Sequence, residues 1–499
     1  MGIAVNIASP VRSLDDLSNE SRMIATPWSR MVRGLGLGQY PIGYDGAVAA
    51  EIRQAFALLE AKVTASNSYT LFSSRLAGLI LEVADPATRL DRRDVERALA
   101  SVLDALRREG NPYWRLMSGC ILLDAASKLG LDKSLLFNDE LDFPGEVLAM
   151  LDEIQPNQIP DENKGRHGDY EKLSAYSAAL LVLGQYDMQN RLLSGGRNYI
   201  REALSVLDRV PSPFFRGRGG AMLFSVILLL GQDSEIFDGD RDYMKDVLDY
   251  LDRADELNMP PAFPQPMSEA FVRIYPLLTM LNAIAMSGRD GYLNHGKDRL
   301  AEAGRLLAEI TPVERTHMGL YYIVALHNLG RLKTEILDFD TFVSEIVGQW
   351  RYIDPGENFF LHGISYSYLI ETAMVTGRLD LIGGEMLEKL ADAFVDLDRS
   401  DMDSANRPYP FSYALNMMAE IGVADLLFKP RARYQGMAPI AWVIDKLSDG
   451  GAREGNRLYM LDHTLISIAL RLSGEVRCES ALFRRFCFRL SPIHAGEAV

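Results

Sequence analysis

The chain has 499 residues, 48% of them hydrophobic and 24% charged, so it can bury a large core in one repetitive fold or in two to three domains. Its formal net charge of −16 argues against general binding to nucleic acids or anionic membranes, because both depend on neutralising phosphate groups. Its three cysteines are scattered and form neither a disulfide framework nor a metal-ligand pattern.

The N-terminal segment and the length of the apolar runs bear on the cellular compartment of the protein. No run of about 18 apolar residues is present to cross a bilayer. The first residues, MGIAVNIASPVRSLDD, lack the basic region and long apolar region of a secretory signal. We therefore expect a cytoplasmic protein with no membrane insertion.

Apolar segments of helical length recur along the chain and finish in glycine, the residue preferred just after the last turn of a helix. Examples are LSAYSAALLVLG, AMLFSVILLLG and LLTMLNAIAMSG. The terminal glycines are Gly130, Gly184, Gly231, Gly288, Gly330, Gly377, Gly422 and Gly474. A unit of about fifty residues therefore recurs, as expected for a repeat array.

Charge-rich amphipathic segments such as NYIREALSVLDRV and GKDRLAEAGRLLAEI separate these apolar helices. They carry a narrow apolar stripe and a solvated face, whereas the glycine-ended helices are apolar nearly all round. The alternation predicts an all-α fold, an α/α toroid with inner and outer helices, or an open superhelix of the same hairpins. We expect an N-terminal extension at 1–45, the repeat toroid at 46–476 and a basic C-terminal tail at 477–499.

Six of the eight positions that lie fifteen residues before a terminal glycine are basic, and the other two hold Asp169 and Tyr459. The six basic positions hold Arg115, Arg216, Arg273, Arg315, His362 and Arg407, while Arg218 and Arg457 lie nearby in their units. A cation at a helix N-terminus opposes the macrodipole, and a bound anion would relieve this through guanidinium contacts and free N–H groups. We expect these arginines to gather at one end of the assembly and bind an anionic small molecule. Alternatively, each is a structural arginine paired with a neighbouring carboxylate.

Aromatic residues accompany the arginines at the same end of the inner helices. They include Tyr170, Phe215, Tyr321, Phe360 and Tyr409. One interpretation is a concave pocket with apolar walls and a charged lip, and the other is ordinary core packing. Walls of this kind can hold a carbocation by cation–π attraction.

Candidates for acid–base chemistry lie at equivalent points of the units. His317 follows Arg315 by two residues, His362 begins another unit, and Asp462 and His463 are adjacent in the last. A packed or solvated histidine is the alternative for each of the three histidines. No HExxH or CxxC spacing occurs, so we expect neither a metal site nor a cofactor.

The stretch DMDSA, residues 401–405, precedes an inner helix and resembles the D-x-D-D acid motif of class II terpenoid cyclases. Those enzymes are α/α toroids in which the middle aspartate protonates an alkene or epoxide in an aromatic-lined cavity. The resemblance implies that Asp403 is the acid, with Asp401 beside it. Ser404 stands where the motif has its last aspartate, and an ordinary helix cap is the alternative.

Three classes of function remain open. The first is an enzyme of the cyclase or lyase type that acts on an amphipathic anion in a central cavity, with a terpenoid or isoprenoid cyclase as its specific form. The second is a carbohydrate-active α/α-toroid lyase or hydrolase whose arginines bind uronate carboxylates. The third is a helical-repeat scaffold without catalysis that binds an acidic peptide.

Overall fold

The structure, a computed structural model, is mostly helical in the part of the chain that it describes. It describes residues 44–62, 68–155, 168–186, 188–193, 196–237, 241–253, 267–354, 362–397 and 425–449, with Met418, Val423 and seven positions between 462 and 472. Within these residues there is no β-strand, only one isolated bridge between Phe137 and Asp142. The all-α class predicted from the sequence is therefore confirmed for these residues.

Seven helices form the core of the described fold. They are α2 (Ser68–Ala84), α4 (Pro112–Lys128), α6 (Gly168–Gln185), α8 (Pro213–Leu229), α10 (Glu269–Ser287), α12 (Pro312–Asn328) and α14 (His362–Val375). Apolar residues on all their sides are buried, and Val226, Ile284 and Val324 are fully inaccessible to solvent. Of the described helices, α10 alone is long and apolar enough to span a membrane, a test that a buried core helix also passes.

The remaining long helices lie at the surface and alternate with the core helices along the chain. They are α1 (Gly46–Lys62), α3 (Arg92–Arg107), α5 (Phe143–Glu153), α7 (Tyr199–Arg209), α9 (Tyr243–Asp252), α11 (Arg299–Glu309), α13 (Phe339–Gly348), α15 (Gly384–Leu397) and α16 (Pro439–Asp449). One-turn helices at Ser234–Phe237, Leu332–Glu335 and Asp425–Phe428 and short 3₁₀ segments connect them. Each of the described helices α3, α7 and α11 buries one apolar stripe, as their sequences predict.

Glycine ends most of the core helices in the predicted way. Gly130, Gly231, Gly288, Gly330 and Gly377 all have φ between 64° and 70°, a left-handed conformation that glycine adopts without steric cost. The expectation for Gly184 was wrong, because α6 continues through it to Gln185. Gly422 and Gly474 lie outside the described residues.

Glycine also permits close approach between core helices. A Cβ atom on Gly217 of α8 would lie 2.7 Å from the Pro276 Cβ of α10 and 2.9 Å from a methyl carbon of Leu251 in α9. A Cβ atom on Gly219 would lie 2.7 Å from a methyl carbon of Leu173 in α6. The glycines of the RGRGG stretch therefore let α8 pack directly against helices on either side.

Contacts follow the order of the chain, with one exception. Each core helix packs against the next one, from α2 through α14. The core helices from α2 to α12 also pack against the surface helices beside them in sequence, and α14 packs against α13. In the exception, α1 contacts α16, and the Thr70 hydroxyl in the first turn of α2 donates a hydrogen bond of 3.0 Å to the Asp462 carboxylate. The two ends of the described chain therefore meet.

Ion pairs join successive surface helices in a repeated pattern. Each pattern has a basic residue just before the N-cap of one surface helix, a carboxylate in the first turn of that helix, and an aspartate at the end of the preceding surface helix. The basic residues with their aspartates are Arg197 with Asp152, Arg241 with Asp208, and Lys297 with Asp252. The first-turn carboxylates are Glu202, Asp246 and Glu302. This chain of pairs connects α5, α7, α9 and α11.

Candidate functional site

The arginines fifteen residues before the terminal glycines contact the ends of the preceding surface helices. The Arg216 guanidinium donates to the Val210 carbonyl oxygen at 2.8 Å and to that of Asp208, at the end of α7. Arg315 donates to the carbonyl oxygens of Ala308 and Ile310, at 3.3 and 3.4 Å, at the end of α11. Because the last carbonyl groups of a helix have no partner within it, these arginines cap the preceding helix.

The other two described arginines of this position are also engaged. Arg115 donates to the Glu109 carbonyl oxygen, 3.3 Å away beyond the end of α3, and pairs with Glu153. Arg273 lies 3.7 Å from Glu269 and 3.9 Å from Glu302. The geometry of these arginines matches the structural alternative more closely than a shared anion site, and their binding of a substrate stays a prediction.

Arg218 points to the other side of α8. Two residues along an α-helix correspond to a rotation of about 200°, so a side chain two positions after Arg216 faces away from the surface layer. The Arg218 guanidinium lies 4.4 Å from the ring centre of Tyr275 and 5.4 Å from that of Phe214. These are distances at which a cation is attracted to an aromatic face.

Three tyrosine hydroxyl groups form a row across the core helices next to Arg218. The Tyr275 and Tyr321 hydroxyl oxygens, on α10 and α12, are 3.1 Å apart. The Tyr321 and Tyr368 hydroxyl oxygens, on α12 and α14, are 3.4 Å apart. All three side chains are buried. We call Tyr275, Tyr321 and Tyr368 the tyrosine row.

His317 lies one helical turn before Tyr321 on α12 and contacts the core helix on each side. Its ring stacks on Tyr368 with 4.2 Å between the ring centres and packs edge-on against Phe271. Its Nε2 atom lies 3.1 Å from the Ser365 hydroxyl oxygen. His317 is only 3% exposed, so its imidazole has little direct contact with bulk water.

The register of the repeat explains why these side chains meet. Arg218, Tyr275 and His317 each lie thirteen residues before the glycine that ends their helix, and Tyr321 and Tyr368 each lie nine residues before theirs. The difference of four residues is about one helical turn, so the two positions share a helix face. Neighbouring core helices therefore present polar and aromatic groups to each other at the same level. We call Arg218, the tyrosine row, Phe271, His317 and Ser365 the His317 cluster.

A buried carboxylate fixes the start of α10 relative to that of α12. Glu314 accepts hydrogen bonds from the Ser268 amide and hydroxyl groups at 2.6 and 2.7 Å, and Ser268 is the N-cap of α10. The same carboxylate accepts from the amide and hydroxyl groups of Thr311, the N-cap of α12, at 2.9 and 3.0 Å. The helices that carry Tyr275 and His317 are thereby held in register.

Asp462 lies at the meeting of the two chain ends. It is fully buried, and one carboxylate oxygen accepts the hydrogen bond from Thr70, while the other has no hydrogen-bond partner among the described residues. Burial raises the pKa of Asp462 to about 7, because the charged form loses its hydration, and the Thr70 hydrogen bond partly opposes this. The sequence singled out Asp462 as an acid candidate, but not Thr70 as its partner.

The remaining sequence candidates are distributed as follows. Tyr170 and Phe215 are buried and pack against each other, with 4.8 Å between ring centres, at the contact of α6 with α8. His362 begins α14, and its side chain lies outside the described residues. Also outside them are Phe360, Asp401, Asp403, Arg407, Tyr409, Arg457 and His463.

Sequence reasoning missed Tyr275, Tyr368, Ser365 and Phe271, which complete the His317 cluster. A search at thirteen and nine residues before each glycine would have found the two tyrosines. Among the described residues, no three His, Cys, Asp or Glu side chains are grouped to hold a metal ion. What the cluster offers chemically is one guanidinium, one imidazole, a hydroxyl row and aromatic faces.

No protein-family model, no curated protein and no solved structure matches the chain. Function is therefore inferred from the geometry of the cluster and its surroundings.

Proposed function

We propose that the protein is an enzyme that binds an amphipathic anion at the His317 cluster and isomerises its unsaturated apolar part through a cationic intermediate. The observation that carries this proposal is the placement of Arg218 over Tyr275 at one end of the tyrosine row. A guanidinium and a wall of aromatic rings are the two groups that such a substrate needs.

Arg218 supplies the contact for the anionic group. A single guanidinium binds a carboxylate or one phosphate through two parallel hydrogen bonds. Arg216, two residues earlier, already donates to two carbonyl oxygens, and burial lowers its pKa. The anionic end of the substrate is assigned to Arg218 because its guanidinium lies beside the aromatic rings of Tyr275 and Phe214 in the cluster.

The tyrosine row and His317 serve the reacting part of the substrate. Aromatic faces attract a cation, and the effect is larger where water is excluded. The hydroxyl row and the His317 imidazole can accept or pass on the proton that a cationic intermediate loses. This chemistry agrees with the terpenoid-cyclase resemblance that the sequence suggests.

We also infer that the repeats close into a ring, the α/α toroid. Support comes from the order of contacts between α2 and α14, from the contact of α1 with α16, and from the hydrogen bond between Thr70 and Asp462. In an open array, the first and last units have no reason to touch. Closure would place the His317 cluster around an interior that substrate enters from one end.

Binding of farnesyl diphosphate and of farnesoate, measured by titration calorimetry, tests the proposal and separates a phosphate from a carboxylate head group. Arg218→Gln should weaken binding of the preferred probe by about 10- to 100-fold, since it removes a charge-assisted contact of about 1.5–3 kcal/mol. Arg216→Gln is the matched control and should bind normally, with a lower melting temperature because the α7 carbonyl groups lose their donor.

Two results would contradict the proposal. One is unchanged probe binding in Arg218→Gln, and the other is a wild-type protein that binds neither probe. Binding of an unsaturated acidic oligosaccharide in their place would favour the carbohydrate-active class, and tight binding of an acidic peptide without turnover would favour the scaffold.

A further inference from the structure

A small cavity lies at the joint of the four helices α8, α9, α10 and α11. Its volume is about 30 Å³, which is room for one or two water molecules. Part of its wall is apolar and includes Phe214 of α8 and Val272 and Leu277 of α10. The rest is charged and comes from Arg273 of α10, from the end of α9 and from the start of α11. The cavity is therefore large enough and polar enough to hold a hydrogen-bonding ligand.

Arg299 brings to this cavity a hydrogen-bond donor that no described residue satisfies. Its side chain is 1% exposed, and its Nη1 and Nη2 atoms each donate to one oxygen of the Asp252 carboxylate at 2.6 Å. Its Nε–H group is also buried and has no hydrogen-bond partner among the described residues. Because a buried donor has lost its hydration, nearly all such groups in proteins are bonded to another protein group or to ordered water.

Glu302 brings the complementary acceptor, one turn further along α11. Its Oε1 atom accepts a hydrogen bond of 2.6 Å from the Lys297 ammonium group, but its buried Oε2 atom has no hydrogen-bond partner among the described residues. Arg299 Nη1 lies 3.9 Å from Oε2, and Arg273 Nη2 lies 3.9 Å from Oε1. These separations are too long for direct hydrogen bonds and are of the size that a single water molecule bridges.

The charges around the cavity nearly cancel. Arg273, Lys297 and Arg299 supply three positive charges, and Asp252 and Glu302 supply two negative ones. Arg273 also lies 3.7 Å from a carboxylate one turn before it on α10. Burial would raise the pKa of Asp252, but hydrogen bonds from Arg299 and Lys297 outweigh burial and lower this pKa, so the carboxylate is charged. A neutral ligand keeps the balance of charge, whereas an added ion would disturb it.

We propose that this cavity is a binding site for ordered water, which accepts a hydrogen bond from Arg299 Nε and donates one to Glu302 Oε2. Water is the neutral ligand that fits, because it both accepts and donates hydrogen bonds and matches the volume of the cavity. Bound there, it completes the polar contacts between α9 and α11 beside Phe214, whose ring centre lies 5.4 Å from the Arg218 guanidinium. The water site uses none of the residues of the His317 cluster, so it stands whether or not the proposed function holds.

The direct test is a crystal structure of the full chain that resolves ordered water, from crystals soaked in sodium bromide. We expect water density within hydrogen-bond distance of Arg299 Nε and of Glu302 Oε2, and no anomalous signal from bromide in the cavity. A bromide peak would make the cavity an anion site, and a cavity without density would make it dry. Either result overturns the proposal.

Val272→Ile gives a test in solution whose sign depends on what the cavity holds. The added methyl group takes space from the cavity, and displaced water would leave Arg299 Nε and Glu302 Oε2 without partners. The melting temperature should then fall by roughly 1–2 °C, whereas filling a dry cavity would raise it. Val83→Ile in α2 is the matched control, because Val83 is also partly buried on a core helix but does not line this cavity. A melting temperature of Val272→Ile at or above that of the control would count against bound water.

Discussion

Arg216 and Arg218 are two arginines on one helix, α8, that make different contacts. Arg216 donates to carbonyl oxygens at the end of α7 and lies 3.9 Å from the Tyr250 ring centre, so it stabilises the joint between a surface helix and a core helix. Arg218, about 200° further round the helix, lies over Tyr275. The glycines around them allow neighbouring helices to approach.

Gly217→Ala tests this close approach. The added methyl group would meet the Pro276 Cβ at 2.7 Å, and that ring carbon cannot move independently of the α10 backbone. We expect a loss of about 1–3 kcal/mol in the free energy of unfolding, measured by chemical denaturation. Gly78→Ala in α2 is the control, because no atom lies within 4 Å of its added Cβ, and it should stabilise the helix by up to about 1 kcal/mol. Equal effects of the two substitutions would contradict the packing account.

Asp462 should make the stability of the protein depend on pH. Its pKa is about 7 in the folded protein and close to 3.8 when unfolded, so the folded state binds the extra proton between these values. The contribution of Asp462 is therefore fully present below about pH 4, is lost by about 4 kcal/mol in total as pH rises towards 7, and changes little above that. Denaturation at several pH values should show this loss in the wild type and a flatter dependence in Asp462→Asn. An identical pH dependence in both proteins would contradict the assigned pKa.

Asp208 and Asp252 occupy equivalent positions at the ends of α7 and α9, but the arginines that bind them differ in position and in burial. Arg299 is 1% exposed and binds both oxygens of Asp252 at 2.6 Å. Arg241 is 43% exposed and binds both oxygens of Asp208. The buried Arg299–Asp252 pair should therefore contribute more to stability than the exposed Arg241–Asp208 pair.

Asp252→Asn and Asp208→Asn form a matched pair of variants. The first leaves the buried Arg299 cation without its main partner and should reduce the free energy of unfolding by about 3 kcal/mol. The second weakens an exposed pair and should cost less than about 1 kcal/mol. Thermal denaturation of both variants measures how much free energy of unfolding each one loses. A larger loss for Asp208→Asn would show that burial does not decide the strength of these ion pairs.

The ends of the core helices could be predicted from the sequence, because a left-handed residue after the last turn strongly favours glycine. The direction of the arginines could not. The position fifteen residues before Gly231 or Gly330 defines a place along the helix, but the rotation of the helix about its axis depends on packing. Arg216 and Arg315 therefore formed a real pattern, and the structure gives it a capping geometry that the sequence alone did not reveal.

The tyrosine row was only partly predictable for a related reason. Tyr321 was noticed because it lies near Arg315, whereas Tyr368 repeats its position nine residues before a glycine and was passed over. Tyr275 is far from both in sequence and reaches Tyr321 because Glu314 ties the starts of α10 and α12 together. Contacts between helices of different units depend on hydrogen bonds of this kind, which cannot be predicted from the sequence of one helix.

At the scale of the whole molecule, the proposed closure of the ring predicts coupling between the two ends of the chain. Removing residues 439–499 deletes α16 and Asp462, which contact α1 and α2. Hydrogen exchange followed by mass spectrometry should then show faster exchange in α1 and α2, although they lie far from the deletion in sequence, and little change in α8 and α10. Unchanged exchange in α1 and α2 would favour an open array.

The hydrogen bond between Thr70 and Asp462 spans 392 positions of the chain, whereas the neighbouring units touch over about fifty. During synthesis at about 5–20 residues per second, roughly 20–80 seconds separate the emergence of these two residues from the ribosome. The early units can pack on one another in that interval, because their partners are already present. Thr70, at the start of α2, gains its contact with Asp462 only after that interval, so this end of α2 stays uncovered while the rest of the chain is made.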